Sequence, residues 1–386
     1  MKITTIETLQ VAIPLRRLHQ MAAGGADIGL GKYPIIKVKT DEGIVGLGEA
    51  PALKEWGGDY GTYFGESAKT VMLVIREHLA PVLEGQDPFR IEWIHGLMDK
   101  AIKGHPYAKA AIDMALYDIM GKALGVPAYQ LLGGLYRREI PLAHSIGIMP
   151  AEKAAAEAAV AVEDGIKTIK LKIGLDPERD VATVREVRKT VGPGITITVD
   201  GNQGYPSAKA AIRVLRRMEE YNVLFVEQPV EGLSAMAKIA QAVDMSVMAD
   251  ESAWTSQDIL RILDMRAADF VSLYPTKPGG LWKAKKVAAV CEAGGIYCNV
   301  NGSAELGIAN AANLHLSAST KVVTLACVYP VTTLEGREKT KLAGRFYLDD
   351  IITEPFEYKD GALIVPDGPG LGVELDERKV DKYRIA

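Results

Sequence analysis

The amino-acid sequence predicts an α/β protein in which a small α+β unit precedes a (β/α)8 barrel. The first 52 residues have the pattern of strands, and the chain is helical from there to about residue 125. From Glu139 onward, short β-rich runs alternate with helical runs. Such alternation is typical of parallel strands joined by helical crossovers. The length of 386 residues accommodates one large domain with a smaller one attached.

The opening unit is predicted to contain a β-meander followed by three helices. The turn signal Asp41-Glu42-Gly43 separates two apolar runs, and a loosely alternating run precedes them. The predicted strands are Ile3–Ile13, Pro34–Thr40 and Ile44–Ala50, and the predicted helices are Ser67–Leu79, Pro88–Lys100 and Tyr107–Leu124. We expect Pro81 to stop the first helix. The long segments 15–32 and 55–65 are interpreted as functional lids.

Eight strands and seven helices follow at the even spacing of a (β/α)8 barrel. The predicted strands are Ile140–Ser145, Thr168–Ile173, Thr196–Asp200, Leu224–Glu227, Ser246–Ala249, Phe270–Leu273, Ile296–Val300 and Val322–Ala326. The predicted helices are Glu152–Glu163, Pro177–Val191, Ser207–Tyr221, Leu233–Val243, Ser256–Arg266, Gly280–Ala293 and Glu305–Ser319. An open doubly wound sheet is the alternative, which the lack of Gly-x-Gly-x-x-Gly after the first strand disfavours.

These patterns divide the chain into a capping domain (residues 1–125), a barrel (126–345) and a C-terminal segment (346–386). The C-terminal segment is β-rich again at Phe356–Lys359 and Ala362–Val365, which flank a hairpin turn at Asp360-Gly361. We expect this segment to fold back onto the capping domain and to cap the barrel mouth.

Composition and charge exclude several classes of partner. Forty-five Lys and Arg residues stand against 49 Asp and Glu, a formal net charge of -4. This balance provides no basic face for nucleic acid and no polybasic membrane tether. The three cysteines, Cys291, Cys298 and Cys327, form neither a disulfide framework nor a zinc-binding spacing. We interpret the chain as a cytoplasmic protein with reduced thiols that acts on a small molecule.

Acidic side chains end three successive barrel strands. Asp200 and Glu227 are the last residues of the third and fourth strands, and Asp250 directly follows the fifth. Three carboxylates at one height repel each other unless a cation lies between them. Oxygen ligands without Cys or His select Mg²⁺, or Mn²⁺, over zinc. Taken singly, each carboxylate could instead cap the following helix, but the matched set favours a metal site.

Three lysines accompany these carboxylates. Lys170 and Lys172 are two residues apart on the second strand and therefore point the same way, into the barrel mouth. We expect their proximity to lower the pKa of at least one toward neutrality, which suits a general base. Lys277 follows the sixth strand, across the barrel. The alternative is that the lysines only form salt bridges with the carboxylates.

Together these residues predict removal or delivery of a proton α to a substrate carboxylate. The carboxylate would dock on the cation, and the metal and Lys170 would stabilise the resulting enolate. Lys172 and Lys277 would then exchange protons on opposite faces. This site could racemise, eliminate or run an intramolecular addition, and the strand-end residues alone leave all three open.

With these motifs, the sequence resembles the enolase superfamily, in the muconate lactonizing enzyme subgroup of the mandelate racemase/muconate lactonizing enzyme family. The matching motifs are Lys170-x-Lys172, Asp200-x-Asn202, Glu227-Gln228-Pro229, Asp250-Glu251-Ser252, Lys277-x-Gly279-Gly280, the helical run from Ala108 to Asp118, Gly125-Val126-Pro127 and Leu131-Leu132-Gly133-Gly134. The resemblance covers essentially the whole chain. It implies a modified barrel under a capping domain, Mg²⁺ on Asp200, Glu227 and Asp250, and a homo-oligomer. It also implies Lys172 and Lys277 as the acid/base pair, with Lys170 as electrostatic helper.

Several positions depart from the family pattern or have two interpretations. The acid that often follows the seventh strand is shifted here to Glu305, or is replaced by Asn301 and Ser303; Glu305 is expected to open the next helix instead. Ala326-Cys327-Val328 stands where dipeptide epimerases carry an Asp-x-Asp that holds the substrate ammonium. The remaining candidate substrate-binding residues are Asn202, Trp56, Tyr60 and His144. His144 is equally interpretable as structural, and the two aromatic residues as loop anchors.

The resulting prediction is an isomerase, a muconate-type cycloisomerase that closes a lactone. The alternative is a racemase, epimerase or dehydratase of an amino-acid-like or hydroxy carboxylate. A non-catalytic binding barrel is the third interpretation, and the joint presence of metal ligands and both lysines argues against it.

Overall fold

A computed structural model describes residues 1–16, 19–22, 30–331, 334 and 336–385. The strands in chain order are β1 (Ile3–Pro14), β2 (Leu30–Thr40), β3 (Val45–Glu49), β4 (Glu139–Pro141), β5 (Ala143–Ile146), β6 (Thr168–Lys172), β7 (Thr196–Asp200), β8 (Val223–Glu227), β9 (Ser246–Ala249), β10 (Phe270–Leu273), β11 (Tyr297–Val300), β12 (Tyr358–Lys359), β13 (Ala362–Ile364) and β14 (Arg384–Ile385). The helices are α1 (Ala68–Val74), α2 (Ala80–Leu83), α3 (Ile91–Ala101), α4 (Pro106–Leu124), α5 (Ala128–Leu131), α6 (Ala151–Glu163), α7 (Pro177–Val191), α8 (Ala208–Met218), α9 (Leu233–Ala240), α10 (Ser256–Met265), α11 (Leu281–Ala293), α12 (Gly307–Ala318) and α13 (Glu377–Tyr383).

The capping domain is built on an antiparallel sheet in the order β14-β1-β2-β3, with α4 packed against it. The predicted meander is therefore confirmed. Pro81 does not stop the first helix as expected. A π-helical turn at Ile75–Leu79 joins α1 to α2, and Pro81 lies in the first turn of α2. The helix thus continues past Pro81 through a change from π-helical to α-helical hydrogen bonding.

The barrel consists of seven parallel strands, β5 to β11, in sequential order within the described residues. The predicted eighth strand, Val322–Ala326, is not a regular strand, although it closes the barrel. Isolated parallel bridges at Val323 and Cys327 join this segment to β11 and to the chain beside β5. The carbonyl of Cys298 accepts hydrogen bonds from two successive amides of the segment, which interrupts the regular register.

The C-terminal segment divides between two partners. β14 extends the sheet of the capping domain by pairing with β1, as expected. The predicted hairpin forms as β12 and β13, but it pairs with β4 at the start of the barrel. The hairpin therefore does not cap the barrel mouth, which lies at the other end of the parallel strands. No helix in the described ranges has the length and apolar character needed to span a membrane.

Asp113 of α4 joins the capping domain to the loop that follows β10. Its side chain is fully buried, and its Oδ1 accepts a hydrogen bond of 2.6 Å from the amide of Leu281 at the start of α11. His95 Nε2 lies 2.7 Å from its Oδ2. A Cβ at Gly280, where φ is 136°, would lie 2.3 Å from the Asp113 carboxyl carbon. This close approach requires glycine and holds the Lys277-containing loop against α4.

We expect Asp113→Ala to lower the free energy of unfolding by about 3 kcal/mol, because it leaves a buried amide and His95 without their acceptor. Thermal denaturation followed by circular dichroism should show a Tm lower by roughly 5 °C. Asp381→Ala, on an exposed position of α13, is the matched control and should leave Tm unchanged. An unaltered Tm for Asp113→Ala would contradict this assignment.

Candidate active site

Three buried carboxylates lie at one edge of the parallel sheet. Asp200 ends β7, Glu227 ends β8 and Asp250 directly follows β9. Asp200 is paired in register with Glu227, and each of the three side chains is at most 2% exposed. The structure thus brings together the three carboxylates that the sequence predicts at neighbouring strand ends.

Three lysine ammonium groups lie among these carboxylates. Lys170 Nζ is 2.8 Å from both Asp200 Oδ2 and Glu227 Oε1. Lys172 Nζ is 2.6 Å from the same Asp200 oxygen. Lys277 Nζ is 2.5 Å from Asp250 Oδ1. All three ammonium groups therefore face the carboxylates, and for Lys170 and Lys172 the strand alternation predicts this direction.

Lys172 and Lys277 flank the carboxylates from two sides. Lys172 ends β6 and Lys277 follows β10, while the strands that carry the carboxylates lie between them. Lys277 is held by Asp250 and by two backbone carbonyls. Its Nζ also lies 4.5 Å from the ring centroid of Tyr274 and 5.3 Å from that of Trp56. Trp56 therefore lies beside Lys277.

Asn202 and Glu251 extend the polar network. Asn202 accepts a hydrogen bond of 2.8 Å from Lys172 Nζ and donates one of 3.0 Å to Glu251 Oε1. Glu251 is 1% exposed, and its Oε2 has no hydrogen-bond partner. Sequence reasoning did not assign Glu251 a role, although it stands beside Asp250 in the Asp-Glu-Ser motif. Adjacent acids after a barrel strand were the available signal.

The buried cluster contains more acids than lysines. Asp200, Glu227, Asp250 and Glu251 face three ammonium groups, which leaves one formal negative charge in excess. Burial raises the pKa of Glu227 to about 7, even though Lys170 opposes the shift. Burial and the neighbouring carboxylates raise the pKa of Glu251 well above its usual range. A cation would relieve both effects.

Lys170 is not the lysine with the expected lowered pKa. Burial alone lowers its pKa, but the charges of Asp200, Glu227 and Asp250 outweigh burial and raise the pKa above its ordinary value. Conversely, burial tends to raise the pKa of Asp200, and the two neighbouring lysines lower it overall. Opposite charges at under 3 Å thus outweigh the repulsion between Lys170 and Lys172.

The donor set fits a hard divalent cation in chemistry. Glu227 Oε2 is buried and has no hydrogen-bond partner. The neighbouring strand ends carry further carboxylate oxygens, which can serve as metal ligands. As the side chains stand, no three Asp, Glu, His or Cys groups in the described part of the chain surround one point closely enough to hold an ion. Ammonium groups lie between them instead. Holding a cation therefore requires carboxylate oxygens to exchange lysine contacts for metal contacts.

Two candidate substrate-binding residues lie away from this cluster. His144 accepts a hydrogen bond from the Gly344 amide at Nδ1, and its Nε2 is 2.8 Å from Glu157 Oε1 on α6. It is buried between the strand and its helix, which favours the structural interpretation. Tyr60 is 78% exposed and lies against Gly232 on the barrel rim.

Asn301 and Ser303 follow β11 on the Lys277 side. Asn301 donates to Ser272 Oγ and accepts from the Val328 amide, so it ties β10 to the closing segment. Ser303 is partly buried, and its Oγ has no hydrogen-bond partner. Asn301 is therefore held by the barrel walls, whereas the hydroxyl of Ser303 remains a candidate substrate contact.

Glu305 does not open the next helix as expected. Its Oε1 accepts a hydrogen bond of 2.7 Å from the Ser303 amide, and its Oε2 is buried without a partner. The amino terminus of α12 is capped instead by Glu49 of β3 and by Asp350. These caps come from segments distant in sequence, so local patterns did not reveal them.

The buried Glu305 predicts a specific pH dependence of stability. Burial raises its pKa from an ordinary 4.5 to about 7. Between these values the folded state holds a proton that the unfolded state releases, so rising pH destabilises the fold. As the pH rises from 5 to 8, we expect the free energy of unfolding of Glu305→Gln to increase relative to that of the parent by about 2 kcal/mol. Melting curves across this range test the prediction.

Glu152→Gln, on an exposed position of α6, should show no such divergence. Parallel pH profiles for Glu305→Gln and the parent would contradict the prediction.

Both predicted lid segments reach the barrel. In the first, His19 Nε2 is 3.2 Å from Ser145 Oγ, and residues 17, 18 and 23–29 lie outside the described residues. In the second, Tyr63 stacks on Trp254 with ring centroids 4.9 Å apart and donates to Asp258.

The fold and the site define a barrel enzyme of the enolase type. Residues 153–379 match the family model described as enolase C-terminal domain-like. Residues 3–133 match that of the mandelate racemase/muconate lactonizing enzyme N-terminal domain. The chain belongs to the mandelate racemase/muconate lactonizing enzyme family of the enolase superfamily, as its motifs predict.

Characterised relatives align over nearly their full length. An N-succinyl-L-Arg/Lys racemase of Bacillus cereus is 37% identical, over 100% of this chain and 98% of the relative. The crystal structure of N-succinyl Arg/Lys racemase from that species has a TM-score of 0.90, with 34% identity over 100% of this chain and 99% of the other. Muconate cycloisomerase 1 of Rhodococcus opacus is 33% identical, over 97% of this chain and 96% of the relative.

A dipeptide epimerase from Enterococcus faecalis, crystallised with Mg and the dipeptide L-Leu-L-Tyr, has a TM-score of 0.87. It is 30% identical, over 97% of this chain and 100% of the other. These relatives include a racemase, an epimerase and a cycloisomerase, and the protein is an isomerase.

Proposed function

We propose that the protein is a metal-dependent racemase of an N-acylated α-amino acid. The observation that carries the proposal is the placement of Lys172 and Lys277 on two sides of one carboxylate cluster, each ammonium within 2.6 Å of a carboxylate oxygen. Racemisation needs one base to remove the α-proton and a second group to deliver a proton to the opposite face. A lactonizing reaction needs only one such group.

The metal site is part of the proposal. Asp200, Glu227 and Asp250 would hold Mg²⁺ or Mn²⁺, and the unpartnered Oε2 of Glu227 is the readiest ligand atom. When bound, the cation would draw negative charge from the substrate carboxylate and make the α-proton more acidic. The Enterococcus faecalis epimerase, crystallised with Mg, supports this choice of ion.

The chain's own residues then have distinct tasks. Lys172 and Lys277 remove and return the proton at the α-carbon. Lys170, kept charged by Asp200 and Glu227, supplies a fixed positive charge beside the substrate carboxylate. Asn202 holds the Lys172 ammonium through a hydrogen bond of 2.8 Å. Trp56 and Tyr274 shield Lys277 with their ring faces.

An N-acylated substrate is favoured over a free dipeptide. The segment that closes the barrel ends in Ala326-Cys327-Val328 and carries no carboxylate there. Cys327 is buried, and the Val328 amide is bonded to Asn301, so neither supplies an anionic partner for a substrate ammonium. A substrate whose nitrogen is acylated needs no such partner. The Bacillus cereus racemase, which acts on N-succinyl-Arg/Lys, agrees with this choice.

Muconate-type cycloisomerisation, the main prediction from the sequence, becomes the second candidate. The Rhodococcus opacus enzyme, at 33% identity, supports it less strongly than the racemase at 37% supports the first. The expected homo-oligomer and cytoplasmic location stay predictions.

A substrate panel with Mg²⁺ tests the proposal. The panel contains N-succinyl and N-acetyl derivatives of L-arginine, L-lysine and L-phenylalanine, together with L-Ala-L-Glu and cis,cis-muconate. We expect loss of optical rotation with at least one N-acyl L-amino acid. The same loss should occur when the reaction starts from the D-form of that compound. Muconate conversion is measured by its ultraviolet absorbance. If muconate is the one compound of the panel that reacts, the second candidate replaces the racemase proposal.

A further inference from the structure

One carboxylate of the capping domain contacts three successive barrel loops. Asp59 lies in the segment 51–66, called here the lid segment. Its Oδ1 accepts hydrogen bonds from Gln203 Nε2 at 2.9 Å and from the Gly232 amide at 3.0 Å. Its Oδ2 accepts one of 2.7 Å from Ser252 Oγ. These donors lie on the loops that follow β7, β8 and β9.

Each of these loops continues directly from one of the carboxylates Asp200, Glu227 and Asp250. Gln203 is three residues after Asp200, Gly232 is on the loop after Glu227, and Ser252 is two residues after Asp250. Asp59 therefore contacts each loop a few residues beyond the carboxylate that precedes it. A single acceptor thus connects three loops that belong to three different strands.

A continuous hydrogen-bond path leads from Asp59 to the backbone of Asp250. Gln228 Nε2 donates to Ser252 Oγ at 2.8 Å, and the Asp250 amide donates to Gln228 Oε1 at 3.0 Å. The Gln203 amide also donates to the Gln228 carbonyl at 2.8 Å. Gln228 has φ of 32°, a left-handed conformation that these contacts hold in place.

Tyr63 is a second anchor of the lid segment. Tyr63 stacks on Trp254, and its hydroxyl donates to Asp258 Oδ2 at 2.6 Å. Asp258 lies on α10, outside the three loops. The Tyr63 hydroxyl thus attaches the lid segment to α10, and its ring contacts only the loop after β9, whereas Asp59 bonds to all three loops.

We propose that Asp59 is a positioning residue that couples seating of the lid segment to the arrangement of the three carboxylates. With the lid seated, its carboxylate restrains the loops after β7, β8 and β9 together. With the lid lifted, the three donors lose their common acceptor, and only the contacts of the loops with one another still restrain them. The lid segment in this view helps to assemble the carboxylate cluster as well as to cover the substrate.

The metal-binding part of this inference rests on the proposed function, whereas the loop restraint does not. Hydrogen-exchange mass spectrometry of the metal-free full chain measures the restraint directly. We expect Asp59→Ala to accelerate exchange about tenfold in peptides covering 200–204, 228–232 and 250–254. Asp59→Asn keeps an acceptor oxygen and should give a smaller acceleration. Tyr63→Phe is the matched control, because it keeps the ring on Trp254 and removes only the hydroxyl bond to Asp258 on α10; it should accelerate exchange only within the lid segment.

Mn²⁺ titration followed by electron paramagnetic resonance supplies the second readout. We expect the Kd for Mn²⁺ to rise about fivefold to tenfold in Asp59→Ala, less in Asp59→Asn, and not at all in Tyr63→Phe. If Asp59→Ala exchanges faster only in the lid segment, and the three loops exchange at the parental rate, the coupling is overturned. A parent that binds no Mn²⁺ would refute the proposed metal site, and the exchange result would still decide the role of Asp59.

Discussion

Lys172→Ala and Lys277→Ala are each expected to lower the racemisation rate about 10³-fold or more. Each lysine is within 2.6 Å of a carboxylate, and together they flank the site, so each serves one face of the α-carbon. Loss of a positioned general acid or base typically costs 10² to 10⁴ in rate. Proton magnetic resonance in D₂O separates the two roles. One variant should still exchange the α-proton of the L-substrate without racemising it, and the other should do the same with the D-substrate.

Lys286→Ala is the control for this pair, because Lys286 lies on the outer surface of α11 and pairs with Glu92. It should retain the parental rate. Full exchange with both enantiomers in either active-site variant would mean that the lysines do not perform the proton transfers. If one variant loses all activity and the other keeps the parental rate, the result would instead favour a one-base reaction such as lactonization.

Asp200→Asn is expected to abolish divalent cation binding and to lower activity about 10³-fold. The substitution removes one of four acids that face three lysines, and with it the excess negative charge of the cluster. Asparagine still accepts hydrogen bonds from Lys170 and Lys172, so the fold should persist. Isothermal titration with Mg²⁺ measures the loss of binding, and the Tm of the metal-free protein checks the fold.

Asp244→Asn, an exposed position ahead of β9, is the matched control and should bind Mg²⁺ like the parent. Unchanged Mg²⁺ affinity in Asp200→Asn would remove Asp200 from the proposed ligand set. An equal loss of affinity in both variants would point to binding at the protein surface.

Sequence periodicity was sufficient to predict the barrel and the placement of the carboxylates and lysines at its strand ends. Strand ends recur after each helix, so Asp200, Glu227 and Asp250 were expected on neighbouring strands, and the structure places them there. The alternation of side chains along a strand likewise placed Lys170 and Lys172 on one face. These features depend on local spacing, which is fully present in the amino-acid order.

Features that depend on distant contacts were not predictable in the same way. The orientation of His144 is set by Glu157 and by the amide of Gly344, 200 residues away. Capping of α12 by Glu49 removed the expected role of Glu305. The pKa of Lys170 rises because carboxylates at the ends of three other strands act on it, and that balance of charge depends on distances that sequence spacing does not give.

Anomalous diffraction from crystals grown with Mn²⁺ tests the central claim most directly. Data collected on both sides of the manganese absorption edge locate the ion independently of the protein coordinates. The account predicts a single strong peak bound by oxygen atoms of Asp200, Glu227 and Asp250, with Lys172 and Lys277 on opposite sides of it. An ion bound by other residues, or no ion within reach of these three carboxylates, would contradict it.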